Sequence, residues 1–185
     1  MQFCLRYTGR LRSNDNAAGK HAIRSELHAQ VKALCSSEAL APTFEANERD
    51  VREERGKPLF VDHGTKRYRF LISEYLATVV DLRITLLVPH KIGGVVHNGG
   101  DIDNRIKTLL DALRVPAVAS EIPRSDAFDY SGDGMYCLLQ DDKLINRLAI
   151  QTYQDYAPTN ADDVTAIIEL ETRVTRALVG NFQFV

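Results

Sequence analysis

The chain has 185 residues, of which 44% are hydrophobic and 26% charged, and its formal net charge is −2. These fractions are typical of a soluble globular protein, and no apolar run approaches the length of a membrane span. The N-terminus lacks the apolar core of a signal peptide, and three widely spaced cysteines fit neither a disulfide framework nor a zinc site. We therefore expect one cytoplasmic domain over residues 1–185, with reduced thiols and no membrane partner.

The N-terminal part of the chain predicts a strand followed by a helix. Residues 2–8 alternate apolar and polar side chains, as a half-buried strand does. A turn cluster at 13–16 supplies an N-cap, and residues 17–34 carry apolar side chains at helical spacing. This region is also the most basic of the chain, which fits either an ordinary solvated face or a phosphate contact. Its basic residues include Arg10, Arg12, Lys20 and Arg24.

The next segments predict a charged insertion, a hairpin and a central strand. Residues 36–58 are polar and charge-rich, so we expect a short solvated helix or a linker there. A β-hairpin follows around a His-Gly-Thr turn, and in its second strand Arg67 and Arg69 alternate with aromatic residues. That alternation suits nucleic acid binding, but it is equally a common strand pattern. Residues 76–88 are rich in Val, Leu and Ile and predict a central strand.

A motif led by two glycines, NGGDIDNRIKTLLDAL, occupies residues 98–113. Its apolar residues recur at i, i+3, i+4 and i+7 and so define one face of a helix. Asp103, Lys107 and Asp111 lie four residues apart on a different face, where they need not be buried. Asp101 or Asp103 can accept the unpaired amides at the start of this helix. The sequence therefore places two carboxylates and a lysine near the open end of a short helix.

This arrangement has a metal-binding interpretation and a purely structural one. Two carboxylates about 5 Å apart repel by roughly 3 kcal/mol at an effective dielectric near 20, and a divalent cation removes that repulsion. Carboxylates with the Asn104 amide oxygen are ligands that suit Mg²⁺ or Mn²⁺, while Lys107 can meet a developing negative charge. In the structural interpretation Asp101 caps the helix and Lys107 pairs with Asp103. A nucleotidyltransferase, which also uses a D-x-D pair, is a further alternative.

A second acidic site follows a long connection. Residues 115–139 predict an irregular loop, which at this length is usually functional or disordered. Asp141 and Asp142 come directly before residues 143–153, which predict a strand. Residues 164–170 predict the last strand, and the turn-rich segment between these two predicts that they pair antiparallel.

The two acidic segments together resemble the RusA family of Holliday junction resolvases. The matching residues read D-I-D-N-x-x-K-x-x-x-D-A-L and then D-D-x-x-I. The resemblance implies that Asp101, Asp103 and Asp142 are catalytic, metal-binding aspartates and that Lys107 is a catalytic lysine. Asn104 and the neighbouring Asp141 are then expected to orient the metal ligands.

The predicted elements add up to an α+β fold, with a mixed β-sheet covered by the helices that start near residues 17 and 103. The resemblance implies a homodimer that hydrolyses phosphodiester bonds in four-way junctions or related branched DNA, with Mg²⁺ or Mn²⁺ as cofactor. DNA-binding domains are usually basic, so the net charge of −2 argues against tight, unaided binding of a junction. A non-catalytic relative that binds DNA or a protein partner is an alternative to the nuclease. The candidate DNA contacts are Arg10, Arg12, Lys20, Arg24, Arg67, Arg69, Lys143 and Arg147.

Overall fold

Helices and mixed sheets of an α+β fold make up the computed structural model. It describes residues 1–89, 96–97, 100–125, 127–158, 160 and 163–184, and for residues 96, 97, 100, 101 and 179 it describes the backbone alone. The α-helices are α1 (Ala17–Cys35), α2 (Ala41–Arg52) and α3 (Ile102–Leu113). The strands are β1 (Gln2–Arg10), β2 (Phe60–His63), β3 (Lys66–Ile72), β4 (Thr78–Val88), β5 (Val96–His97), β6 (Gly100–Asp101), β7 (Met135–Leu139), β8 (Ile145–Gln154) and β9 (Asp163–Val174).

The larger sheet has the strand order β1-β9-β4-β8. β9 runs antiparallel to both β1 and β4, whereas β8 runs parallel to β4. The expected central strand is therefore confirmed, because β4 pairs on both sides. The expected antiparallel pairing of the last two strands is wrong, because β4 lies between β8 and β9. Their connection looks like a hairpin turn in the sequence, but pairing with the apolar β4 decides the order.

A second sheet has the order β2-β3-β7. β2 and β3 form the predicted hairpin, and Gly64 adopts a φ of +65° in its turn, a conformation that glycine adopts without strain. β7 pairs parallel to β3 inside the segment that was expected to be irregular throughout. Gly134 precedes β7 with a φ of +85°, and a Cβ there would lie 2.5 Å from the Arg67 carbonyl oxygen. A glycine is thus needed for the chain to enter β7.

α1 packs against β1, β7 and α3, and its start is as expected from the sequence. Asn16 is the N-cap, and its side-chain oxygen accepts a hydrogen bond from the Gly19 amide at 3.0 Å. Most of the predicted apolar face of α3 is buried: Ile106, Leu109 and Leu113 are at most 4% exposed, and Leu110 is partly buried. Each such side chain stabilises the fold by about 1.5–3 kcal/mol. These contacts hold α3 against α1 and the end of β7.

The charged insertion contains a real helix, α2, whose Thr43 hydroxyl hydrogen-bonds the Gln183 side chain at 3.0 Å. The C-terminal segment that contains Gln183 also has regular structure. It forms a 3-10 helix at Val179–Phe184, and the Phe184 side chain is fully buried. Among the residues that the structure describes, no helix combines the length and the apolar character needed to cross a membrane.

Candidate functional site

The D-x-D motif lies where β6 passes into α3. Asp101 is the last residue of β6, and its side chain lies outside the described part of the structure. The helix begins at Ile102, so Asp103 falls in its first turn, where a carboxylate complements the helix dipole. The Asp103 side chain is exposed, and one of its oxygens accepts a hydrogen bond from the backbone N–H of Asn104 at 2.8 Å. Lys107 lies one turn further along and is also exposed.

Asp103 and Lys107 do not pair with each other. Among the described side chains, neither belongs to an ion pair within 4.0 Å. The structural interpretation of the motif expected a Lys107–Asp103 pair, and that part of it is wrong. Both charges therefore remain accessible on the surface of α3.

Asp111, the third polar residue of that helical row, has a different environment. Its side chain is buried, and one carboxylate oxygen lies 2.6 Å from the Lys20 ammonium. The other oxygen accepts a hydrogen bond from Arg114 at 3.4 Å. The expectation that Asp111 need not be buried is corrected, since α1 covers this end of the helix and supplies Lys20. Asp111 thus joins α1 to α3.

The second acidic site sits where β7 ends. Asp141 precedes a 3-10 helix at Asp142–Leu144 and caps it, accepting a hydrogen bond from the Lys143 amide at 3.0 Å. The Asp142 side chain is exposed, and the 3-10 helix contacts α3. Lys143 is exposed and forms an ion pair, with its ammonium 2.8 Å from a carboxylate oxygen of Glu74. That hydrogen bond and the Glu74 charge raise the pKa of Lys143.

Arg114 directly follows α3, and its charge interacts with that of Asp142. Burial alone would lower the pKa of Arg114, but a hydrogen bond to Glu121 and the charges of Glu121, Asp111 and Asp142 raise it. The guanidinium lies 2.9 Å from Glu121, and burial of Glu121 is outweighed by this contact, so the pKa of Glu121 is lowered. Sequence reasoning missed Arg114. The signal in the sequence is a cation directly after the helical pattern and two residues before Pro116, where it can interact with the C-terminal end of the helix.

The two acidic sites meet different ends of α3. Asp103 lies in the first turn and Arg114 directly after the last, which is about 16 Å along the axis at 1.5 Å per residue. Among the described side chains, which exclude that of Asp101, no three His, Cys, Asp or Glu groups lie close enough to hold a metal. The chemistry of the donors still fits Mg²⁺, which prefers carboxylate and amide oxygens. The three-aspartate metal site stays a prediction.

A cleft of about 470 Å³ opens beside Asp142. Asp141 and Asp142 form one wall, and residues 114–117 after α3 form another. Aromatic side chains, among them Phe60 and Tyr75, complete the lining. Tyr75 is 37% exposed, and the Lys57 ammonium lies 5.0 Å from the centre of its ring. Carboxylates beside an aromatic surface can receive a nucleotide once a cation balances the negative charge.

Two of the candidate DNA contacts are structural residues instead. Arg24 is 2% exposed and donates hydrogen bonds to the carbonyls of Asp111 at 2.9 Å and Arg114 at 3.1 Å. Arg69 is 8% exposed and donates to the Asp133 carbonyl at 2.7 Å and to Glu48 at 2.8 Å. The predictions of DNA contact for Arg24 and Arg69 are therefore corrected. A buried guanidinium that already satisfies protein acceptors does not reach a phosphate.

The remaining candidates lie on the surface or at its edge. Lys20 is a quarter exposed and pairs with Asp111, while Arg67 makes a two-pronged hydrogen bond to Asp62 at 2.9 Å. That bond is the first cause of the lowered pKa of Asp62 and the raised pKa of Arg67. The candidates that the structure shows as exposed are Arg10, Arg12, Lys143 and Arg147.

The sequence matches no protein-family model and has no significant match among curated proteins. The family resemblance consequently rests on the residues of the two acidic segments.

Proposed function

We propose that the chain is a RusA-like, metal-dependent endonuclease that acts on four-way junctions or related branched DNA as a homodimer. The observation that carries the proposal is that Asp103, Lys107 and Asp142 are exposed and have no ion-pair partner among the described side chains. Asp111, on the same helix, is buried in a structural pair. The residues of the motif are thus divided between those used for folding and those left open for chemistry.

The positions of basic residues support a phosphate path beside α3. The Asp15 amide donates a hydrogen bond to the Thr108 hydroxyl at 3.2 Å, so the turn between β1 and α1 lies against the helix. Arg12 is exposed three residues before Asp15, and Thr108 directly follows Lys107. A cation on this turn is therefore well situated to contact the DNA backbone near Lys107, which contributes affinity without sequence preference.

The proposed roles follow from the chemistry of each side chain. Asp101, Asp103 and Asp142 would hold Mg²⁺ or Mn²⁺, which when bound lowers the pKa of a water and so supplies a nucleophile. Lys107 stabilises the negative charge that develops on the phosphate during attack. The backbone N–H of Asn104 hydrogen-bonds the Asp103 carboxylate, and the Asn104 side chain would orient a carboxylate ligand or a metal-bound water. Asp141 caps the 3-10 turn that presents Asp142.

Cleavage of labelled DNA tests the proposal. Four-way junction, linear duplex and single strand are incubated with Mg²⁺ or with EDTA, using wild type, Asp103→Asn and Asp129→Asn. Asp129 is the matched control, since it is an exposed loop aspartate outside both acidic segments. We expect metal-dependent cuts in the junction that Asp103→Asn loses and Asp129→Asn keeps.

Two other results would replace the proposal. Tight junction binding without cutting by wild type would indicate the non-catalytic DNA-binding relative. Incorporation of a labelled nucleoside triphosphate without cutting would indicate the nucleotidyltransferase. Equal cutting by wild type and Asp103→Asn would remove Asp103 from the catalytic residues.

A further inference from the structure

β8 is an edge strand of the larger sheet in the part of the chain that the structure describes. Among the described strands, β4 pairs with one side of β8 and none pairs with the other. Sheet edges are usually protected by short strands, prolines, bulges or several charges, because an open edge pairs with other chains. β8 is ten residues long, contains no proline and has a single charged residue, Arg147. This edge is therefore suited to pairing.

The core face of the sheet continues onto β8, where it is only partly covered. Leu148 and Ile150 stand in register with Leu82 and Ile84 of β4, which are at most 1% exposed. On β8 the same face is open, and Leu148 and Ile150 are 39% and 40% exposed. A strand added beside β8 would bury these side chains further.

Backbone directions limit how a second strand can pair. The Asp155 amide donates to the Val88 carbonyl at 2.7 Å, and Val88 is in parallel register with Gln154. In a regular strand the odd-numbered residues of β8 then direct their amides and carbonyls to β4, and the even-numbered ones direct theirs outward. Two antiparallel copies of β8 must align even with even residues. A two-fold axis between them consequently passes through a residue, not between two.

Charge selects one such axis. Within the protomer, neither Arg147 nor Asp155 has an ion-pair partner among the described side chains. An axis through Gln151 sets Arg147 opposite the partner's Asp155, twice. It also sets Tyr153, which is 51% exposed, opposite the small side chain of the partner's Ala149. An axis through Arg147 would instead oppose two like charges.

We propose that two copies of this chain associate by antiparallel pairing of β8 with β8 around Gln151, which joins two four-stranded sheets into one of eight strands. The residues that pair are the same on both copies, as a two-fold interface requires. The starts of the two β8 strands, directly after the turns that carry Asp142, then lie about 40 Å apart at 3.3 Å per residue. The interface rests on β8 alone and does not depend on the nuclease proposal.

Charge reversal tests the pairing. We expect wild type to sediment as a dimer, and Arg147→Asp or Asp155→Arg alone to weaken dimerisation on the order of tenfold or more, because each opposes like charges twice. The double variant Arg147→Asp with Asp155→Arg should regain the dimer, which separates a lost ion pair from a misfolded protein. A monomeric wild type, or a double variant no better than the singles, would overturn the proposal.

A disulfide tests the register. Cys35 and Cys137 are buried, and burial raises the pKa of both thiols to about 12, so replacing the exposed Cys4 by Ser removes the reactive native thiol. In that background Gln151→Cys should form a disulfide-linked dimer on oxidation, since the two cysteines face each other at the axis. Ala149→Cys is the matched control on the same face, where the two cysteines are about 13 Å apart. Cross-linking through residue 149, or through neither position, would contradict the register.

Discussion

The ammonium of Lys20 lies 2.6 Å from a carboxylate oxygen of Asp111 and joins the first turn of α1 to the last turn of α3. The contact is largely shielded, with the two side chains 26% and 12% exposed. Arg114 approaches the other oxygen of the same carboxylate. Asp111 therefore belongs to the framework that positions α3, although it stands in one helical row with Asp103 and Lys107.

We expect Asp111→Asn to lower the free energy of unfolding by about 2 kcal/mol, because charge-assisted hydrogen bonds in a shielded site are lost. Urea denaturation measures the change. Asp103→Asn is the matched control, since it makes the same chemical change on the exposed part of the same helix, and we expect it to stay within about 0.5 kcal/mol of wild type. Equal effects of the two variants would refute the division into structural and open residues.

Arg24 and Arg12 offer a second matched pair. Arg24→Met removes the donor to two carbonyls at the end of α3, so we expect a loss of about 3 kcal/mol in stability and no change in DNA affinity per folded molecule. Arg12→Met should keep the free energy of unfolding within about 0.5 kcal/mol of wild type and should weaken DNA binding. The slope of the logarithm of the binding constant against the logarithm of salt concentration should become shallower by about one, as for one lost phosphate contact. Denaturation and binding titrations at several salt concentrations measure both. Weaker DNA binding by folded Arg24→Met would restore Arg24 as a DNA contact.

The sequence predicts the individual helices and the hairpin of this fold better than it predicts which distant strands pair. α3 follows from the spacing of its leucines, and the β2–β3 hairpin follows from its turn. β7 was missed because all five of its residues are buried, so it shows no alternation, and because glycines on its N-terminal side resemble a loop. The order of β8, β4 and β9 depends on which apolar faces pack together, which neighbouring residues do not encode.

In the candidate site, too, features set by neighbouring residues were predictable, and features set by distant residues were not. Helical spacing places Asp103 and Lys107 away from the buried leucines, but it did not predict that α1 covers Asp111 in the same row. The burial of Arg24 and Arg69 could not be predicted, because their acceptors come from α3, α2 and the segment before β7. A cation in a basic stretch looks solvated until such distant partners are known.

His28 should make stability fall at acidic pH. Burial, and next the charge of Lys32, lowers the pKa of His28 from its usual 6.5, and its Nδ1 accepts a hydrogen bond from the Tyr136 amide at 2.9 Å. When the pH falls below the pKa that His28 has in the unfolded chain, the unfolded chain binds the proton before the folded protein does. The stabilisation by neutral His28 is therefore present above that pH and is lost as the pH falls below it.

Urea denaturation at about pH 7.5 and about pH 5.5 measures this loss, which should be smaller in His28→Gln because glutamine accepts the same hydrogen bond without titrating. An unchanged pH dependence in His28→Gln would show that other groups cause it.

The central claim is that Asp103 and Asp142, from the two acidic segments, both bind the divalent metal that cleavage needs. Calorimetric titration with Mn²⁺ tests it without relying on cleavage. We predict that wild type binds Mn²⁺ and that Asp103→Asn and Asp142→Asn each weaken this binding, because each variant removes a carboxylate ligand. Mn²⁺ binding with wild-type affinity by either single variant would contradict the claim.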